Sequence, residues 1–179
     1  MSRFEPRFRP SLESLDQRDV PAVLLSESFD TLKVPLTPTG WQSWSSDTAG
    51  LYVTTRLDAY DGQISLAASG SNRTESRFWW SSEQPADAGL AARMRSDGPT
   101  PVTFIVRGAD LGSRQASYLA AIVHPTGRTI ELVEVVQGSK KTLARITSPT
   151  AVYGTWFKVT VEPIGKQVSV QVKRADTQQ

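Results

Sequence analysis

Between residues 154 and 174 apolar and polar positions alternate with a period of two, the pattern of strands that bury one face. Phe157, Val159 and Val161 point one way, and Val168, Val170 and Val172 answer them across a reversal at Pro163-Ile164-Gly165-Lys166. Lys158, Thr160, Gln167, Ser169 and Gln171 fall on the other face, which water can wet. This predicts a hairpin over 156–162 and 167–173 forming part of a sandwich, with Trp156 at its entrance anchoring it against the core.

The same texture runs back toward residue 22. Short apolar or alternating runs are cut by turn residues, which predicts strands over 22–29, 50–54, 63–68, 77–80, 89–95, 102–107, 117–123, 129–136 and 140–146. No stretch between them has a convincing 3.6-residue period. Asp61-Gly62, Ser96-Asp97-Gly98-Pro99, Pro125-Thr126-Gly127 and Gln137-Gly138-Ser139 stand where hairpins need left-handed or proline-fixed backbone. Strands joined this way pair antiparallel.

Residues 1–22 differ in kind. Arg3, Arg7, Arg9 and Arg18 mix with Glu5, Glu13, Asp16 and Asp19 and with three prolines, so this segment has too little to bury to pack a face of its own. The expected organisation is a disordered leader over 1–22 and one β-sandwich over 23–179. A chain of 179 residues suits that plan, because a domain near 150 residues buries about 70% of its unfolded surface.

Charge and cysteine usage narrow the function classes. The 20 basic and 18 acidic residues leave +2 without long runs of either sign, so nothing calls for nucleic acid or anionic lipid. With no Cys, disulfides, thiolate chemistry and Cys-based zinc sites are excluded. No apolar run approaches the roughly 20 residues of a membrane-spanning helix, and the N-terminus lacks the apolar core of an ordinary signal peptide.

Several of these elements together resemble the concanavalin A-like lectin/glucanase jelly rolls, the group that includes laminin-G-like modules. Ser28-Phe29-Asp30 resembles its opening strand and Gly40-Trp41 the motif after it. Ala91 to Arg95 is similar to the first strand of its inner sheet, Ile105-Val106-Arg107-Gly108 to an apolar-x-Arg strand, Tyr118 to the next, and Gly154-x-Trp156 with its hairpin to the late strands. The resemblance implies an all-β jelly-roll sandwich of two antiparallel sheets. It also implies a final strand returning beside the first, whereas this sequence stops at Asp176-Thr177-Gln178-Gln179, so a domain lacking its closing strand, as in a fragment of a longer protein, stays open. The run from Leu12 to Ala22, LESLDQRDVPA, resembles a leader of planctomycete-type surface and secreted proteins, which implies an extracellular or cell-surface location.

Glycosidases of this class need two carboxylates about 5.5 Å apart on one strand face, and their Glu-x-Asp-x-x-Glu string is absent. Glu131 and Glu134 are spaced to point to opposite faces, and Asp58 and Asp61 sit in a turn. His124, the single histidine, reads as a water-contacting turn residue. No phosphate-binding glycine loop occurs. No cofactor is expected; Asp30 resembles a position near which family members hold calcium, but that ion needs about six to eight oxygens and its partner strand is missing. Asn72-Arg73-Thr74 matches a glycosylation sequon of little meaning in a bacterial setting.

The tryptophans carry the stronger lead, because a sugar ring stacks its apolar face on an aromatic plane while Arg, Asn or Asp bond its hydroxyls. Within Ser76-Arg77-Phe78-Trp79-Trp80, Arg77 and Trp79 share a face. Arg93 and Arg95 alternate with apolar neighbours, Arg107 falls in phase with Thr103 and Ile105, and Tyr118 follows one strand later. The resemblance puts these strands in the concave sheet. The expected site is Arg77, Trp79, Arg93, Arg107 and Tyr118, binding a polysaccharide or glycan without cleavage. The rival readings are a spacer packing on neighbouring domains of a surface protein, its Arg and aromatic face filled by its own side chains, and a glycoside hydrolase-related domain. Trp41 and Trp44, in a loop-like stretch, either rim the groove or plug one end of the sandwich.

Overall fold

The structure, a computed structural model, describes residues 40–47, 52–55, 59–60, 65–68, 75–148 and 152–175. The expected leader, the strand over 22–29, Asp30, the Asp58 and Asp61 turn, the 72–74 sequon and the last four residues lie outside the described residues.

Every regular element among the described residues is a strand. They are β1 (Trp41–Ser45), β2 (Tyr52–Thr55), β3 (Ser65–Ala68), β4 (Ser76–Trp80), β5 (Leu90–Arg95), β6 (Val102–Ala109), β7 (Ser117–His124), β8 (Thr129–Val136), β9 (Ser139–Thr147), β10 (Trp156–Ile164) and β11 (Gln167–Arg174). All of the strand pairs are antiparallel. β1, which the sequence reads as a loop, pairs with β4 along its full length. The strands form a three-stranded sheet in the order β11-β10-β5, a four-stranded sheet in the order β6-β7-β8-β9, and the pairs β1-β4 and β2-β3.

The alternation in β10 and β11 produces the core. Val159 stands opposite Val172, Val161 opposite Val170 and Pro163 opposite Val168, all on one face, while Lys158, Thr160 and Glu162 face out. Phe157, Val159 and Val161 are fully buried against Phe104, Val106, Ala121 and Val123 of the four-stranded sheet, with Val168, Val170 and Val172 packed around them. Two antiparallel sheets therefore share one apolar layer, an all-β sandwich. The other face of the four-stranded sheet carries a second cluster of Ala120, Val133 and Val135, with Ile105, Tyr118 and Ile122 against it.

Trp156 does not serve that core. It lies in phase with Lys158 on the outer face, opposite Arg95, with its ring edge-on to Tyr60 at 5.3 Å. A strand entrance placed one residue before Phe157 must point the other way, and parity overrides the size of the side chain.

Candidate functional site

The Ser-Arg-Phe-Trp-Trp strand alternates as its sequence requires, and β1 repeats the alternation beside it. On one face Trp41 stacks on Phe78, centroids 4.5 Å apart and planes 5° from parallel, and meets Trp80 edge-on at 5.5 Å. On the other, Trp44 stands opposite Arg77 and Gln42 opposite Trp79. Trp41 and Trp44 thus belong to a strand pair, not to a loop. The tight entry comes from Gly40 at φ 92°, where a Cβ would collide with the Trp80 ring.

Arg77 is only 4% exposed. Its guanidinium carbon lies 4.4 Å from the Trp44 ring centroid and 5.6 Å from that of Tyr118. One terminal nitrogen donates to the carbonyls of Leu111 (3.0 Å) and Ser113 (2.5 Å), while Nε and the other donate to Glu75 Oε1 at 2.9 and 2.7 Å. A buried cation is tolerable only when so satisfied, and the planar fork suits several carbonyls at once. Burial pushes the Tyr118 phenol above its ordinary value and the Glu75 charge adds to this, against Arg77.

The two carbonyls held by Arg77 belong to the β6–β7 loop. Asp110 at φ 53° starts its turn, the Ser113 amide donates to the Asp110 carbonyl at 3.0 Å, and the Gln115 amide donates to Ser113 Oγ at 3.1 Å. The β8–β9 turn is tied to the same place, with Gln137 N donating to Ser117 Oγ and Gly138 N to the Ala116 carbonyl, both at 3.0 Å. Between these loops lies an open depression of about 500 Å³ lined by Asp110, Gly112, Ser113, Gln115, Ser117 and Gln137. Half-buried Trp79 reaches its edge, where the ring comes within 3.9 Å of the space a Cβ on Gly112 would fill. The lining offers hydroxyls, amides and one carboxylate, a set suited to a polyhydroxylated molecule. The signal in the sequence was the polar run from Asp110 to Ser117 together with the Gln137-Gly138 turn, but which loops would meet is a tertiary fact.

Of the five residues expected to form one site, the structure brings Arg77, Trp79 and Tyr118 together beside this depression and places the other two elsewhere. Arg93 lies on the outer face of the three-stranded sheet, opposite Lys158 and 4.7 Å from the Tyr60 ring centroid. Arg107 does not keep phase with Thr103 and Ile105. The β6–β7 register breaks between Val106 and Ala109, and Arg107 adopts φ 51°. Its guanidinium turns to the carbonyls of Ala86 (2.8 Å) and Gly165 (2.7 Å) and to Asp87 Oδ1 at 2.7 Å, a clasp between the loop before β5 and the β10–β11 turn. A bulge re-aims a side chain, which strict alternation cannot foresee.

Glu131 and Glu134 face opposite sides as their spacing requires, opposite Ile122 and Leu119 respectively. Glu131 is buried and accepts from Lys140 Nζ at 3.0 Å and from Arg145 at 2.5 Å. The Lys140 hydrogen bond holds its carboxyl below the ordinary value, with Arg145 acting the same way and burial opposing them. His124 closes β7 at the turn with its side chain 31% exposed, as the sequence suggested, while its Nε2 is buried 3.7 Å from Glu131 Oε1. Among the described residues, no His, Cys, Asp and Glu group is arranged to hold a metal ion, and no helix is long and apolar enough to cross a membrane.

Among solved structures, the chain is similar to the carbohydrate-binding module CBM66 from Bacillus subtilis. The TM-score is 0.57 at 14% sequence identity, over 75% of this chain and 74% of that one. No protein-family model and no curated protein matches the chain. At that identity the likeness is one of fold: an all-β sandwich of the jelly-roll kind.

Proposed function

We propose that the protein is a non-catalytic carbohydrate-binding module of a surface or secreted protein, with its ligand seated in the depression between the β6–β7 loop and the β8–β9 turn. The observation that carries this reading is the conjunction of Trp79 at the edge with Asp110, Ser113, Gln115, Ser117 and Gln137 around an open hollow. Trp79 supplies the stacking plane, and the amides and hydroxyls bond the sugar's hydroxyl groups. Arg77 and Tyr118 are positioning residues, because Arg77 spends its donors on Leu111, Ser113 and Glu75. The lining has a single carboxylate, Asp110, where hydrolysis needs an acid pair about 5.5 Å apart. The fold shared with a carbohydrate-binding module agrees with this reading. An extracellular or surface setting rests on the resemblance of residues 12–22 to a sorting leader.

A glycan array with the full chain tests the proposal. Binding by the wild type, weakened by Trp79→Ala and Gln115→Ala in folded protein and without release of reducing ends, is expected. A blank array, or product formation, refutes it. A second reading, a spacer that packs on a neighbouring domain, draws on β9: it is the outermost strand of its sheet among the described residues and every residue of it is exposed, including Leu143 at 45% and Ile146 at 57%. A blank array together with dimers that Ile146→Lys disrupts would favour that reading.

A further inference from the structure

Across the outer face of the three-stranded sheet, Arg93, Lys158 and Lys173 stand side by side on β5, β10 and β11, each directly opposite the next. Neighbouring strands lie about 4.8 Å apart, so three cations form a row perpendicular to the strands. Like charges directly opposite one another weaken a sheet, which makes such a row costly to the fold itself. All three side chains are exposed, and among the described residues neither lysine has a carboxylate partner. Arg93 is nonetheless held in place: its guanidinium lies 4.7 Å from the Tyr60 ring, which donates its hydroxyl to the Ala175 carbonyl at 2.6 Å and abuts Trp156. Beside the row, Lys158, Thr160, Glu162, Gln171 and Lys173 line a shallow groove of about 220 Å³.

We propose that this face binds an acidic polysaccharide, a chain whose carboxylates are spaced along hydroxyl-bearing rings. The cation row supplies the counter-charges. Thr160, between Lys158 and Glu162, and Gln171 opposite it bond hydroxyls, and Glu162 accepts from the sugar's hydroxyls. Glu162 also sets the class, because a carboxylate in the groove repels a phosphate-dense polymer, whereas a sugar chain with hydroxyls between its carboxylates can present a hydroxyl there. The tyrosine and tryptophan at the edge of the row add apolar surface of the kind that sugar rings cover. This surface belongs to the other sheet from the depression beside Trp79 and does not depend on that reading.

Affinity electrophoresis of the full chain through gels containing polygalacturonate, its methyl-esterified neutral form, or polyphosphate tests the proposal. Polygalacturonate is expected to retard the protein at low ionic strength, the ester and polyphosphate much less, and about 0.5 M salt to abolish the effect by screening. Lys158→Gln/Lys173→Gln should weaken retardation about fivefold, the scale of two exposed ion pairs. Its thermal midpoint should equal or exceed the wild type's, because the substitutions relieve repulsion. Gln115→Ala, in the depression, should leave retardation unchanged. No retardation by polygalacturonate, equal retardation by polyphosphate, indifference to salt or to the lysine pair, or loss in Gln115→Ala each overturns the proposal. Should the double variant not fold, Lys158→Gln alone and the salt series support or overturn the proposal in the same way.

Discussion

The guanidinium of Arg77 lies 4.4 Å from the ring centroid of Trp44, its register partner on the neighbouring strand, and from that position reaches the carbonyls of Leu111 and Ser113. One buried side chain thereby links the β1-β4 pair to the loop that shapes the depression. Arg77→Lys keeps the charge but loses the fork, leaving carbonyls unpaired beneath the loop. A loss of about 2 to 3 kcal/mol is expected in denaturant titration. Faster amide exchange around residues 110–115 should accompany it, and unchanged exchange there would separate Arg77 from the loop.

Core and surface positions on one strand should respond in opposite ways. Phe157→Ala removes a fully buried ring from the layer between the sheets and should cost about 3 to 5 kcal/mol. Thr160→Ala, on the outer face, should stay within about 0.5 kcal/mol. Equal costs in chemical denaturation would mean that the phase of β10 is wrong.

Gly40→Ala combines a left-handed backbone at φ 92° with a Cβ that collides with the Trp80 ring. Destabilisation of about 1 to 3 kcal/mol is expected, together with a change in the near-ultraviolet circular dichroism of the Trp41-Phe78-Trp80 cluster. An unchanged spectrum and midpoint would contradict that entry into β1.

Glu131 gives a pH signature. Its folded-state value lies below the ordinary 4.5, so the stability it contributes is present in full above that pH and is lost as pH falls through the lower, folded-state value. Glu131→Gln should cost about 1 to 3 kcal/mol at pH 7, and the gap to the wild type should close in acid, where both side chains are neutral. A gap independent of pH would deny the charge its role.

The fold was largely legible because alternation is a local code. Phe157 to Val172 could be placed in one core from parity alone, and the strand bounds over 77–80, 89–95, 117–123 and 129–136 lie within a residue of those seen. β1 was missed because Trp41-Gln42-Ser43-Trp44-Ser45 lacks an apolar alternation, and its pairing with β4 is decided by aromatic contacts across strands. The placement of the candidate residues was legible in part. The shared face of Arg77 and Trp79 follows from spacing, and Tyr118 joins them. The bulge at Arg107 and the assignment of Arg93 to the other sheet depend on register and sheet order, which no local pattern encodes.

Amide chemical-shift mapping with the strongest saccharide from the array shows whether the depression beside Trp79 receives a sugar. Perturbations confined to residues 110–117, Gln137, Gly138 and the Trp79 indole, and requiring more saccharide in Gln115→Ala, are the expected result. Shifts clustered on β9, or none at saturating saccharide, would contradict it.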